Sequence, residues 1–261
     1  MSLLAAAQGV KPPKVNLDTL ENGELRSVTN QAFQTGEKLT YRVHYGFVDA
    51  GEAVLEVKDS KWDFNGRPAY HIVGTGRSLG AFDWVFKVRD RYETYVDKNG
   101  LFPYRFIRNV SEGGYEIFQD YEFHPEKRAL RTHEKEEYFT PEFIQDLLSA
   151  FYYARTLDLS DVRKGDTFEI ETFVDGEVYP LKIKYVGTEK IKLRKGTFRC
   201  MKFVPVIQEG RIWEEEDDLH VWITDDANKI PILVKSDLLV GSVKMQVVDY
   251  ENLMNPIAKI K

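Results

Sequence analysis

One cysteine in 261 residues leaves no internal disulfide and no multi-cysteine zinc site. That residue, Cys200, lies in FRCMKFV, which reads as a buried strand and an inert core thiol. No apolar run approaches the roughly 18 residues of a membrane-spanning helix, so the chain is not expected to span a bilayer. A formal net charge of -6, with no long basic cluster, excludes a general nucleic-acid binder. His44, His71, His124, His133 and His220 stand apart, with no spacing that sets two imidazoles on one metal. Ser149 lacks the glycines of a nucleophile elbow. Gly74, Gly76 and Gly80 have the wrong spacing for a phosphate loop. The acidic run EEEDD from Glu214 lacks the alternating ligands and turn glycine of a calcium loop. These gaps leave no residue to nominate as catalytic, no cofactor and no metal.

What the chain has in quantity is alternation. LTYRVHYG, EAVLEVKD, AYHIVGTG, FKVRDRYETYVD, YRFIRNVS, YEIFQDYEF and ALRTHEKEEY follow one another at the period of a strand. Asn65-Gly66, Asn99-Gly100, Gly113-Gly114 and His124-Pro125 supply turns between them. The same grammar returns in TFEIETFV, EVYPLKIKYVG, FRCMKFVPVI, LHVWITD, IPILVKSD and SVKMQVVDYE. Gly36, Gly66, Pro103 and Gly113 recur as Gly165, Gly196, Pro231 and Gly241, at offsets of 128 to 130 residues. We read two copies of one meander. Between them Thr140 to Asp158, TPEFIQDLLSAFYYARTLD, has an N-cap threonine, a proline in the first turn and a wide apolar stripe, and predicts one long, largely covered helix.

The organisation expected is therefore residues 1–35 as a signal remnant and extended arm, 36–138 as a first β unit, 139–160 as the connecting helix, 161–251 as a second β unit, and 252–261 as a tail. The fold class expected is mainly β: antiparallel meanders forming two similar curved sheets or one large open barrel, with one long central helix packed on them. Leu3 to Gln8, LLAAAQ, reads either as the end of an export signal with Ala5 and Ala7 before the cleavage point, or as a plain terminus.

Aromatic side chains supply the candidate site. Phe82, Trp84 and Phe86 lie on a connection and the strand after it, and Trp213 occupies a similar point of the second half. With Phe151 on the helix, these five are the candidate ligand-binding residues for a lipid or other apolar ligand. The competing reading, favoured by the general burial of large apolar residues, is that they cap the sheet ends against the helix.

GEKLTYRVHYGFVDAGEAVLEV, DRYETYVDKNGLFPYRF, DLLSAFYYAR and VWITDDANKIPILV, ending in Gly241-Ser242, together resemble the bacterial family catalogued as domain of unknown function 3108, over roughly Gly36 to Tyr250. The resemblance implies an exported, mostly β protein without an assigned activity, working in the periplasm or at the cell envelope. It carries no catalytic residue over to this chain. The layout expected is similar in outline to LolA-type periplasmic carriers, a likeness of fold only. The expectation is a non-enzymatic binding or carrier protein for an apolar or extended ligand. The alternative is a structural component of the envelope that contacts another envelope protein.

Overall fold

The computed structural model describes residues 9–206, 219–237 and 242–260. Chain order runs through β1 (Lys38–Tyr45), β2 (Val48–Asp59), β3 (Ala69–Ser78), a four-residue helix α1 (Phe82–Val85), β4 (Arg89–Asp97), β5 (Pro103–Glu112), β6 (Tyr115–His124), β7 (Ala129–Arg131) and β8 (Glu137–Phe139). Helix α2 (Leu147–Ala154) follows, then β9 (Thr167–Val174), β10 (Glu177–Leu193), β11 (Gly196–Pro205), β12 (Leu219–Thr224), β13 (Pro231–Asp237), β14 (Ser242–Glu251) and β15 (Lys259–Ile260).

The strands form one antiparallel sheet in the order β8-β7-β6-β5-β4-β3-β2-β1-β14-β13-β12-β11-β10-β9, with β15 added beside β11. Of the two layouts expected, the chain adopts the single open barrel. The first meander starts in the middle of the sheet and runs outward to β8. The chain then crosses by α2 to the far edge, and the second meander runs back until β14 pairs with β1 from Lys38↔Glu251 to Tyr45↔Val243. Strands β1 to β6 and β9 to β14 therefore follow the same sequential order.

Local chemistry sets these turns. The β5–β6 hairpin closes on Gly113 and Gly114, with φ of 57° and 94°, and the β9–β10 hairpin on Asp175 and Gly176, with φ of 51° and 85°. Two successive residues with positive φ match the right-handed strand twist, and glycine adopts them without a Cβ clash.

Strands β8 and β9 end the sheet, and neither edge is left bare. The amide of Val15 donates to Glu137 O and that of Phe139 to Pro13 O, so the N-terminal arm lies along β8. Further out, Val10 pairs with Val178 of β10. Gln145 covers β9: its amide donates to Glu171 O at 2.9 Å and its carbonyl accepts from Phe173 N at 2.8 Å. Covered edges do not recruit other chains.

This edge pairing corrects the helix expected over Thr140 to Asp158. The helix spans only Leu147–Ala154. Thr140 instead donates its amide to Arg128 O, and Phe143 takes a left-handed φ of 52°. Gln145 gives its backbone to the strand, so Asp146 caps α2 and the helix starts only at Leu147. The apolar periodicity was real, but backbone groups before Asp146 found β partners and could not also start a helix. The long central helix is thus a strand-like approach followed by two turns of α-helix. The four-residue α1 likewise stands where an irregular connection was expected, and β4 starts at Arg89 rather than near Phe86.

The core of the first half gathers Ile72, Phe106, Tyr121, Leu130 and Tyr138 around Leu148 and Tyr152 of α2, with Ala32 and Phe33 of the arm. Full burial of each large apolar side chain contributes roughly 1.5–3 kcal/mol relative to exposure, so the arm is part of the domain rather than a loose tail. A second cluster joins Leu39 and Tyr41 of β1 to Phe198, Cys200, Trp222 and Leu233, with Leu253 and Ile257 of the C-terminal segment against it. Burial pushes the Cys200 thiol up to about 12, in keeping with an inert core side chain.

Candidate functional site

Helix α2 positions the site, and two buried polar anchors fix α2. At its start the Asp146 carboxylate accepts the amides of Leu148 at 2.8 Å and Ser149 at 2.9 Å, while Ser149 Oγ accepts the Asp146 amide at 2.9 Å. This capping box satisfies orphan donors at the helix N-terminus. Thr94 Oγ1 of β4 donates to the other carboxylate oxygen at 2.6 Å, which ties the cap to the first meander. Complete burial pushes the Asp146 carboxyl up to about 6, with these hydrogen bonds opposing the rise.

At the other end Arg155 is 2% exposed and donates four hydrogen bonds. Its Nη1 and Nη2 meet Glu37 Oε1 and Oε2 at 2.6 and 2.8 Å, Nε meets Asn228 O at 2.9 Å, and Nη2 also meets Ala32 O at 3.1 Å. One guanidinium, at the C-cap of α2, therefore joins the arm, the residue that precedes β1 and the β12–β13 turn. Burial alone would lower its pKa, but the bidentate carboxylate outweighs that and holds it above the ordinary arginine value.

Between these anchors the helix has two working faces. Leu148 and Tyr152 enter the first core. Leu147, Ala150, Phe151 and Ala154, at helical spacing, line a cleft of about 330 Å³, with Leu147 and Phe151 also packed against the first core. Its opposite wall comes from alternate residues of the second meander: Phe168 and Ile170 of β9, Leu181 and Ile183 of β10, Val221 and Ile223 of β12. Phe203, Val234 and Met245 complete it from β11, β13 and β14. A cleft of this size, almost wholly apolar, falls within the range of small-molecule sites.

Among the described residues only two charged side chains line the cleft, Arg155 and Lys229. The first is consumed by Glu37. Lys229 sits in the β12–β13 turn, which Asp226 organises by accepting Thr224 Oγ1, Asn228 N, Lys229 N and Ala258 N at 2.6 to 3.2 Å. The Lys229 ammonium makes no hydrogen bond or ion pair among the described residues. Burial lowers its pKa, with Asp158 and Asp226 pulling the other way.

Of the five residues expected to bind ligand, Phe151 lines this cleft. Phe82, Trp84 and Phe86 gather on and beside α1, at the end of the sheet that carries the β1–β2 and β5–β6 hairpins, and are not part of its lining. Trp84 is 94% exposed; Phe82 lies 6.4 Å from the Tyr45 ring. Trp213, with the acidic run that follows it and the LLAAAQ segment, lies outside the described residues. Among the described residues no three His, Cys, Asp or Glu side chains gather as a metal site. The residues that sequence reading missed, Leu181, Ile183, Val221, Ile223 and Lys229, had one signal: Leu181 and Ile183 stand in the opposite phase to Lys182 and Lys184 along β10.

An unclosed antiparallel sheet around a short anchored helix, with an apolar cleft between them, defines a β-barrel-like protein. The chain belongs to the family described as protein of unknown function (DUF3108), whose model matches residues 40–248. It is similar in fold to a crystal structure of a β-barrel-like protein of domain of unknown function DUF1849 from Brucella abortus, at TM-score 0.54 and 11% identity, over 84% of this chain and 99% of that one. Looser likenesses are the hypothetical protein CT021 of Chlamydia trachomatis (TM-score 0.38, 10% identity, 84% and 88% covered) and a Bacteroides fragilis protein with a YmcC-like fold, described as exported by inference (TM-score 0.34, 10% identity, 88% and 100% covered). No curated protein matches the chain.

Proposed function

We propose that this is a non-enzymatic binding or carrier protein of the cell envelope that holds an apolar ligand between α2 and the second meander. The observation that carries the reading is the cleft of about 330 Å³ whose walls are almost entirely aliphatic and aromatic. A folded chain that leaves so much apolar surface uncovered forgoes burial free energy, at roughly 25 cal/mol per Å², and a bound apolar ligand restores it.

A second reading, an interaction component of the envelope, draws on another feature. Phe47, Trp84 and Val85 are strongly exposed at the end of the sheet that carries the β1–β2 hairpin and α1. Such apolar tips suit contact with another surface.

Native mass spectrometry of protein isolated from its own envelope separates the two. A co-purified mass of lipid size, released by organic extraction, is the result expected. A stoichiometric protein complex with an empty cleft would refute the carrier reading in favour of the second.

A further inference from the structure

The cleft is uniform in its walls but not in its ends. One end lies near Pro205 and Leu219, just beyond the Phe203↔Val221 pair of β11 and β12, on the side of the sheet that carries the β1–β2 hairpin and α1. The opposite end is formed by Leu157, Ile223, Pro231 and Lys229. Among the described residues that line the cleft only Arg155 and Lys229 are charged, and Lys229 lies at one extremity.

That charge makes no hydrogen bond or ion pair among the described residues. Arg155, the other cation in the lining, spends its donors on Glu37, Asn228 and Ala32. Asp158 and Asp226 attract the Lys229 ammonium electrostatically without bonding to it, and each carboxylate is held by other donors. Asp226 holds four donors of its own turn and the C-terminal segment, and Asp158 accepts Ser160 N at 3.0 Å and Ser160 Oγ at 2.8 Å. A half-buried ammonium that makes no hydrogen bond among the described residues is unfavourable until an anion meets it. Beside a long apolar cleft, the complementary ligand has an acyl-type tail and an anionic head at one terminus.

We infer that the ligand is an anionic amphiphile, its chain along the α2-facing side of the second meander and its carboxylate or phosphate at Lys229. This rests on the cleft being the ligand site. A volume near 330 Å³ matches roughly ten groups of about 30 Å³ each, so a single medium-length chain fits and a two-chain lipid would leave part of its length outside.

The test uses delipidated full-length protein at neutral pH and three probes with one tail: dodecanoate, dodecanol and dodecyltrimethylammonium. Each is titrated against an uncharged solvatochromic dye held in the cleft. Wild type is expected to bind dodecanoate about tenfold more tightly than dodecanol and to bind the cation most weakly, as one charge-assisted contact implies. In Lys229→Met the ratio of dodecanoate to dodecanol affinity collapses toward one; Lys229→Arg and the distant control Lys87→Met keep it. Equal affinities for all three probes in wild type, or a preference for dodecanoate that survives in Lys229→Met, would overturn the assignment of the head while leaving the cleft as a ligand site. Failure of the dye and of every probe to bind would overturn both.

Discussion

The two meanders share a strand order and a helix but treat the space against that helix differently. In the first, Phe106, Tyr121 and Tyr138 reach inward, and the arm adds Phe33, which meets Tyr152 edge-on at 4.8 Å. In the second, the residues turned toward α2 are mostly Leu, Ile and Val, no described arm residue lines the space, and about 330 Å³ stays open. The lesson is that sheet topology does not decide whether an interior is core or site. Side-chain volume and one added segment decide it.

The comparison can be broken most forcefully at Glu37. Glu37→Gln leaves Arg155 buried without a countercharge, at the point where both halves meet the helix, and is expected to cost about 3–5 kcal/mol in urea unfolding. A loss under about 1 kcal/mol would mean that Arg155 reaches water and that α2 is anchored elsewhere.

Paired truncations sharpen the contrast between core and cleft. Phe106→Ala, in the filled half, is expected to cost about 3–5 kcal/mol, as for a large aromatic removed from a packed core. Phe151→Ala, which widens an existing opening, is expected to cost about 1 kcal/mol. Equal losses would show that the second half is packed like the first.

A smaller effect lies in pH. Asp146 has a folded-state carboxyl raised from 3.8 to about 6, so the native state holds its proton more tightly than the unfolded chain does. The stability this group contributes is full below about pH 4 and is lost as pH rises through about 6. Asp146→Asn keeps an oxygen for the cap but removes the titration. The wild-type minus variant difference in unfolding free energy is therefore expected to fall between those pH values. A flat difference would show that Asp146 titrates normally.

Much of the fold was legible because alternation and turn residues are local. Gly113-Gly114 marked a hairpin before any coordinates, and the strand segments fell where the phase of LTYRVHYG or YEIFQDYEF placed them. The start of α2 was not legible, because the competing partner of Gln145 is β9, which lies later in the sequence and becomes a neighbour only once the sheet has formed. The candidate site was legible only at Phe151. Trp84 and Phe86 are as apolar as any core residue, and nothing in their spacing reveals that they sit on and just after an exposed four-residue helix rather than against α2. The cleft itself takes one or two residues from each of several strands, a pattern without a linear motif.

The central claim, that the space between α2 and the second meander is a ligand site, is tested most directly by filling it. Ala154 lies on the cleft-lining face of α2, and Ala154→Phe directs an aromatic ring into the opening. Titration of delipidated protein with an uncharged solvatochromic dye is predicted to give saturable, blue-shifted fluorescence in wild type. In Ala154→Phe the affinity is predicted to fall at least tenfold, with an unfolding midpoint no lower than wild type. Undiminished dye binding in the filled variant would place the ligand elsewhere and contradict the account.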